Sequence, residues 1–134
     1  MIDKETVVRM FKFGSIGVIG FCVDYGVLKF GIHILNLDPY TARLISYICA
    51  ATTTWFGNRI LTFADRPKTP LAKQWASFLA LNAVGFVVNY SVYVLLITQF
   101  PFIYANPGWA VAAGSLAGMC INYMSSTRLV FPKT

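Results

Sequence analysis

Four apolar runs divide this chain, with polar punctuation between them. From Phe13 to Ile34 the main interruptions of the first run are Asp24 and Lys29, and from Tyr40 to Leu61 those of the second are Arg43, Asn58 and Arg59. The stretch ADRPKTPLAK from Ala64 to Lys73, with two prolines, then breaks the pattern before a third run from Trp75 to Ile97 and a fourth from about Trp109 to Met124. A helix of about 20 residues crosses a bilayer core, and in hydrocarbon every backbone N–H and C=O must be bonded within its own segment. The pattern therefore predicts an all-α polytopic membrane protein of four transmembrane helices, with short turns at Asp38-Pro39 and Asn106-Pro107.

Composition agrees with that pattern. The chain is 57% hydrophobic and 12% charged, against roughly a quarter charged in ordinary soluble domains. Its 134 residues make one domain, 1–134, with no room beside four spans for a soluble catalytic domain. The opening MIDKETVVRMFK has acids and no small-residue cleavage site, so the first span is expected to stay in the mature protein. Cys22, Cys49 and Cys120 lie in apolar runs without CxxC spacing and read as small buried side chains. His33 reads as interfacial.

Charge sets the orientation. Lys4, Arg9 and Lys12 precede span one, Arg59, Arg66, Lys68 and Lys73 lie between spans two and three, and Arg128 and Lys133 follow span four. Nine of the eleven cations thus lie on one side, and Lys29 and Arg43 toward the other. The positive-inside rule puts both termini and the middle loop in the cytoplasm. The net charge of +6 is that of basic membrane flanks, not of a nucleic-acid binder.

The chain also matches itself. At an offset of 65, Phe13 meets Phe78, Gly20-Phe21 meets Gly85-Phe86, and Asp24-Tyr25 meets Asn89-Tyr90. At 68, Asp38-Pro39 meets Asn106-Pro107, Ala42 meets Ala110, Leu61 meets Leu129 and Phe63 meets Phe131. The expected architecture is two tandem helical hairpins of the same orientation, repeat 1 at about 13–63 and repeat 2 at about 78–131. Gly14, Gly17 and Gly20, with Ala110, Gly114 and Gly118, are spaced to let helix backbones approach.

Candidate chemistry is confined to a few polar groups. An ionised Asp24 near the middle of span one costs roughly 2.5–3.5 kcal/mol and must face protein or water. Its mate Asn89 keeps the hydrogen bonding without the charge, so two readings stay open: buried packing through hydrogen bonds, or a part in transport. Lys29 and Arg43 lie nearer the outer surface and can snorkel; Arg43 also has the length to reach Asp24 and, with Lys29, to meet a phosphate. At the inner ends, Asn58 and Arg59 in one half and Asn122, Ser126, Thr127 and Arg128 in the other pair an arginine with amide or hydroxyl neighbours. A guanidinium fork suits a phosphate head group, and Trp55, Trp75 and Tyr123 nearby can pack on a sugar face. Arginine and tryptophan at helix ends are also ordinary interfacial anchors. No Ser/His/Asp set, metal cluster or nucleotide motif is present in the sequence, so the expectation is neither an enzyme nor a protein with a cofactor.

The glycine-rich first span running into VDYGV (Val23 to Val27), the ending NRILTF (Asn58 to Phe63) and the later ending RLVF (Arg128 to Phe131) resemble the GtrA-like family of small four-helix bacterial membrane proteins. The resemblance covers essentially the whole chain. It implies a multi-pass protein of the bacterial cytoplasmic membrane that moves a polyprenyl-phosphate-linked sugar for cell-surface polysaccharide or glycan synthesis. It also implies a lipid substrate and a glycosyltransferase partner; packing of so small a bundle adds the expectation of a homo-oligomer. Asp24, Asn58 and Arg59 are the matching motif positions and Arg128 the second-half counterpart. The substrate-binding candidates are these four with Asn89, Asn122, Arg43, Tyr25 and Tyr90. When Phe63 and Phe131 are superposed, Arg128 falls one residue out of register with Arg59. Two alternatives stand beside the lipid carrier: a small proton-coupled cation or drug antiporter using Asp24, and a membrane anchor that recruits a glycosyltransferase.

Overall fold

A computed structural model describes residues 3–106 and 108–133, leaving aside the side chains of residues 40, 108 and 111. Among the described residues every regular element is helical: α1 (Lys4–His33), α2 (Pro39–Gly57), α3 (Leu71–Gln99), the short α4 (Pro101–Ala105) and α5 (Gly108–Ser125). Five-residue π turns, Asn58–Thr62 and Ser126–Val130, directly extend α2 and α5. Contacts divide the chain into two compact units, residues 1–79 with 133–134, and residues 80–132.

The helix ends follow from local chemistry. The Asp3 carboxylate accepts from the Thr6 N–H at 2.8 Å and starts α1, and Asp38 does the same for Thr41 at 2.9 Å with Pro39 at the first helical position of α2. Asn36, at φ 55°, makes the tight reversal between them, in a conformation that asparagine tolerates better than most residues. α1 therefore begins nine residues before the apolar run and, at 1.5 Å per residue, is about 45 Å long. Its first turns extend past a hydrocarbon slab of about 30 Å. Pro107, half of the expected outer Asn-Pro turn, lies outside the described residues.

α1 and α3 are each long and apolar enough to cross a membrane. α2 and α5 are shorter, at 19 and 18 residues, and carry the polar and small residues that pack. In the first unit α1 and α2 run antiparallel, with Gly20 against Thr54 and Ala50, Gly31 against Ala42, and Gly57 against Ile16. In the second, α3 and α5 run antiparallel, with Gly85 against Asn122 and Gly114 and Gly118 against Asn89. Gly14 and Gly17, expected to seat a neighbouring helix, face open space within the structure: an added Cβ there meets nothing within 4 Å. Their spacing marks one face of α1 but not a partner. The expectation of buried cysteines is corrected likewise, since Cys22 and Cys120 lie on outward faces and only Cys49 is half-buried. An apolar thiol has no reason to avoid a lipid-facing position.

Each π turn closes on a buried phenylalanine. The Phe63 N–H donates to the Asn58 carbonyl at 2.8 Å, and the Phe131 N–H donates to the Ser126 carbonyl at the same distance. The wider turn brings residue i+5 over residue i, so Asn58, Thr62 and Phe63 are buried together, as are Ser126, Val130 and Phe131.

Candidate functional site

The polar candidates of the first unit lie at two levels. At the upper level, Asp24 on α1 forms a salt bridge with Arg43 on α2, between Oδ1 and Nη1. The antiparallel packing sets Asp24 level with about Ala50, so Arg43 starts about two helical turns above it and reaches down along the groove. Nη1 also lies 3.4 Å from the hydroxyl of Ser46, itself fully buried, which donates back to the Arg43 carbonyl at 3.0 Å. Side-chain exposure is 22% for Asp24 and 47% for Arg43, so the guanidinium keeps donors open to a ligand while its partner is shielded. Lys29 is exposed, with Nζ 5.5 Å from the centroid of the exposed Tyr25 ring.

At the lower level Arg59 is held by its surroundings. Its Nη1 donates to Gln74 Oε1 at 2.6 Å and to the Thr69 carbonyl at 3.1 Å, while Trp55 Nε1 donates to the same Gln74 oxygen at 3.0 Å. Lys68 Nζ donates to the Arg59 carbonyl at 2.9 Å, and Trp75 Nε1 to Thr52 Oγ1 at 2.8 Å. Asn58 is buried inside the π turn, where its Oδ1 accepts from Thr62 Oγ1 at 2.7 Å. It secures the turn that presents Arg59 and does not itself face the rim.

Gln74 escapes sequence reasoning, because a polar residue at the start of a helix reads as solvated. The one signal for it is the offset of 65, which aligns it with Arg9. It is 2% exposed and joins the start of α3 to α2. Gln74→Leu leaves a buried indole N–H and a guanidinium without their acceptor, each orphan costing about 1–3 kcal/mol. The expected outcome is a clear fall in the unfolding temperature of the detergent-solubilised protein, which Gln74→Glu largely avoids.

Arg9 is the second residue that the sequence does not single out. Its Nη1 donates to the Thr62 carbonyl at 2.8 Å and to Asp65 Oδ1 at 3.0 Å, and its Nη2 donates to Asp65 Oδ2 at 2.9 Å and to Glu5 at 3.2 Å. The guanidinium also lies 5.3 Å from the centroid of the buried Phe63 ring. These bonds from Arg9 pull the Asp65 carboxyl down to about 2. A depressed carboxylate adds stability above its ordinary pKa of about 3.9 and loses it only as pH falls through the folded value, so this latch does not respond to pH near neutrality. Asp65 is more than half exposed, and solvent screens much of the gain.

In the second unit the candidates are neutral or unpaired. Asn89 lies against Gly114 and Gly118, and Asn122 against Gly85, its Oδ1 buried with no hydrogen-bond partner among the described residues. Tyr90 is exposed, its ring stacked 6.3 Å from Phe86. Arg128 is exposed and makes no hydrogen bond or ion pair among the described residues. The structure thus joins Asp24 with Arg43, ties Arg59 to Gln74, and packs each asparagine onto glycine.

A run of apolar helices, one charged pair set between two of them, and arginines at the ends of two like turns describe a membrane module. The family model for "GtrA/DPMS, transmembrane domain" matches residues 12–131, nearly the whole chain, and the chain belongs to that family. No curated protein matches it.

Proposed function

We propose that this chain carries a polyprenyl-phosphate-linked sugar across the bacterial cytoplasmic membrane, through four crossings arranged as two tandem hairpins with both ends cytoplasmic. Membership in a transmembrane-domain family supports the setting and points to the handling of lipid-linked sugars. Support for the repeat comes from burial. At the offset of 68, Ala42 and Ala110, Ser46 and Gly114, Ala50 and Gly118, and Phe63 and Phe131 are all buried, and the two π turns start 68 residues apart, at Asn58 and Ser126. Gly20 against Thr54 answers Gly85 against Asn122 in the same alignment. With their π turns, α2 and α5 gain enough length to span.

The observation that carries the reading is the Asp24–Arg43 pair set between the two helices of a mainly apolar hairpin. Ionisable groups at that depth are costly and belong to a substrate path more often than to packing alone. Among the described residues Arg43 donates only through Nη1, so its other N–H groups are left for phosphate oxygens. Asp24 keeps the guanidinium aimed and yields it when the phosphate arrives. The prenyl tail stays in lipid, and Arg128, exposed and unpaired among the described residues, offers a second cation at the cytoplasmic rim. No bond is made or broken, and the lipid moves down its own gradient. A membrane glycosyltransferase is the partner that would consume it. The antiporter alternative predicts that Asp24→Asn abolishes transport outright, whereas a lipid carrier that relies on Arg43 tolerates the change.

Vesicles holding the purified chain and a labelled polyprenyl-phosphate sugar test the proposal. Label should become accessible in the opposite leaflet faster than in protein-free vesicles. Equal rates would defeat it.

A further inference from the structure

A groove of about 490 Å³ lies between the first turns of α1 and the end of the first π turn, away from the Asp24–Arg43 pair. Lys4, Val8 and Lys12 follow one another at four-residue spacing and so share the face of α1 that lines it. Leu61 and Ala64 line the other side, and Val8 and Leu61 are both exposed. Glu5 and Asp65 also border the groove, but both carboxylates are bound to Arg9. Lys4 and Lys12 make no hydrogen bond or ion pair among the described residues. Two unpaired ammonium groups thus stand over an apolar floor, next to Phe13, where the apolar run of α1 begins.

We propose that this groove binds an anionic phospholipid of the adjoining leaflet, its phosphate between Lys4 and Lys12 and its acyl chains over Val8 and Leu61. Three cations against two carboxylates favour an anionic over a zwitterionic head group, and the exposed apolar floor favours a lipid over a free anion. Arg9 serves here as a fixed wall, since its donors are spent on the Thr62 carbonyl, Glu5 and Asp65. This site is independent of the translocation reading and stands or falls without it.

Native mass spectrometry of the full chain, released from mild detergent with phosphatidylglycerol added, provides the test. One phosphatidylglycerol should remain bound, and phosphatidylcholine at the same concentration should not. At about 1 kcal/mol per lysine, Lys4→Gln/Lys12→Gln should weaken retention about 30-fold. Lys4→Arg/Lys12→Arg should retain the lipid, as should Lys68→Gln/Lys73→Gln, which removes equal charge from residues that do not line the groove. Equal retention of phosphatidylcholine, or equal loss in Lys68→Gln/Lys73→Gln, would overturn the proposal. Displacement at equal concentration by inorganic phosphate would assign the groove to a free anion, and displacement by a polyprenyl phosphate would assign it to the transported lipid; either also refutes it.

Discussion

Arg43→Leu should reduce translocation of a polyprenyl-phosphate sugar by about ten- to a hundredfold, the effect of losing charged hydrogen bonds of about 1.5–3 kcal/mol to the phosphate. The same change leaves Asp24 without its partner at a depth where an unpaired carboxylate costs roughly 2.5–3.5 kcal/mol. A fall in unfolding temperature should therefore accompany the loss of transport. The double change Asp24→Asn/Arg43→Gln separates the two effects: neither residue remains charged, so stability should return, while transport should stay low for want of a guanidinium. Asp24→Asn alone should keep much of both, because the amide oxygen can still accept from Arg43 and the guanidinium that meets the phosphate remains. Paired vesicle assays and thermal unfolding in detergent measure all three variants. Full transport by the double variant would remove Arg43 from the path.

Gly114→Ala should be the most damaging single methyl addition in the second unit. The new Cβ would lie 2.5 Å from Asn89 Oδ1 and 2.6 Å from the Asn89 backbone oxygen, so a side-chain shift alone cannot relieve it and α3 and α5 must move apart. Overpacking of that kind costs about 1–3 kcal/mol. Gly118→Ala meets the Gly85 backbone oxygen at 2.9 Å and should behave similarly. Gly14→Ala and Gly17→Ala meet nothing within 4 Å and should leave unfolding unchanged. Thermal unfolding of the four variants in one detergent ranks them directly. A loss at Gly14 or Gly17 as large as at Gly114 would show that α1 seats another helix through that face.

How far the sequence speaks depends on which force acts at each position. Hydrocarbon imposes composition over whole segments, so the apolar runs and the polar Ala64–Lys73 break are plain in the residues. The 65 and 68 offsets can be read directly from the residues, and positions they pair, such as Phe63 and Phe131, are both buried. The π turns are not legible: nothing in NRILT or STRLV marks a bond from i+5 to i, which depends on burying Phe63 and Phe131. Arg43 reaching Asp24 was one of two open readings, since side-chain length permits both the bridge and snorkelling, and only the packing of α1 on α2 decides. Gln74 and Arg9 were missed because each is polar near a helix start, where solvent is the ordinary partner. In both cases the partner comes from the distant turn around residues 58–65. Asp3 as the cap of α1 is legible in the sequence, an acid three residues before the Thr6 N–H that it accepts from.

Labelling of single cysteines in intact cells or sealed vesicles, on a background with Cys22, Cys49 and Cys120 replaced, tests the account at its base. Cysteines at Lys4, Lys68 and Lys133 should react only from the cytoplasmic side, and cysteines at Asn36 and Tyr104 only from the outside. A chain whose two ends reacted from opposite sides would contradict the paired hairpins, and with them the path through Asp24 and Arg43.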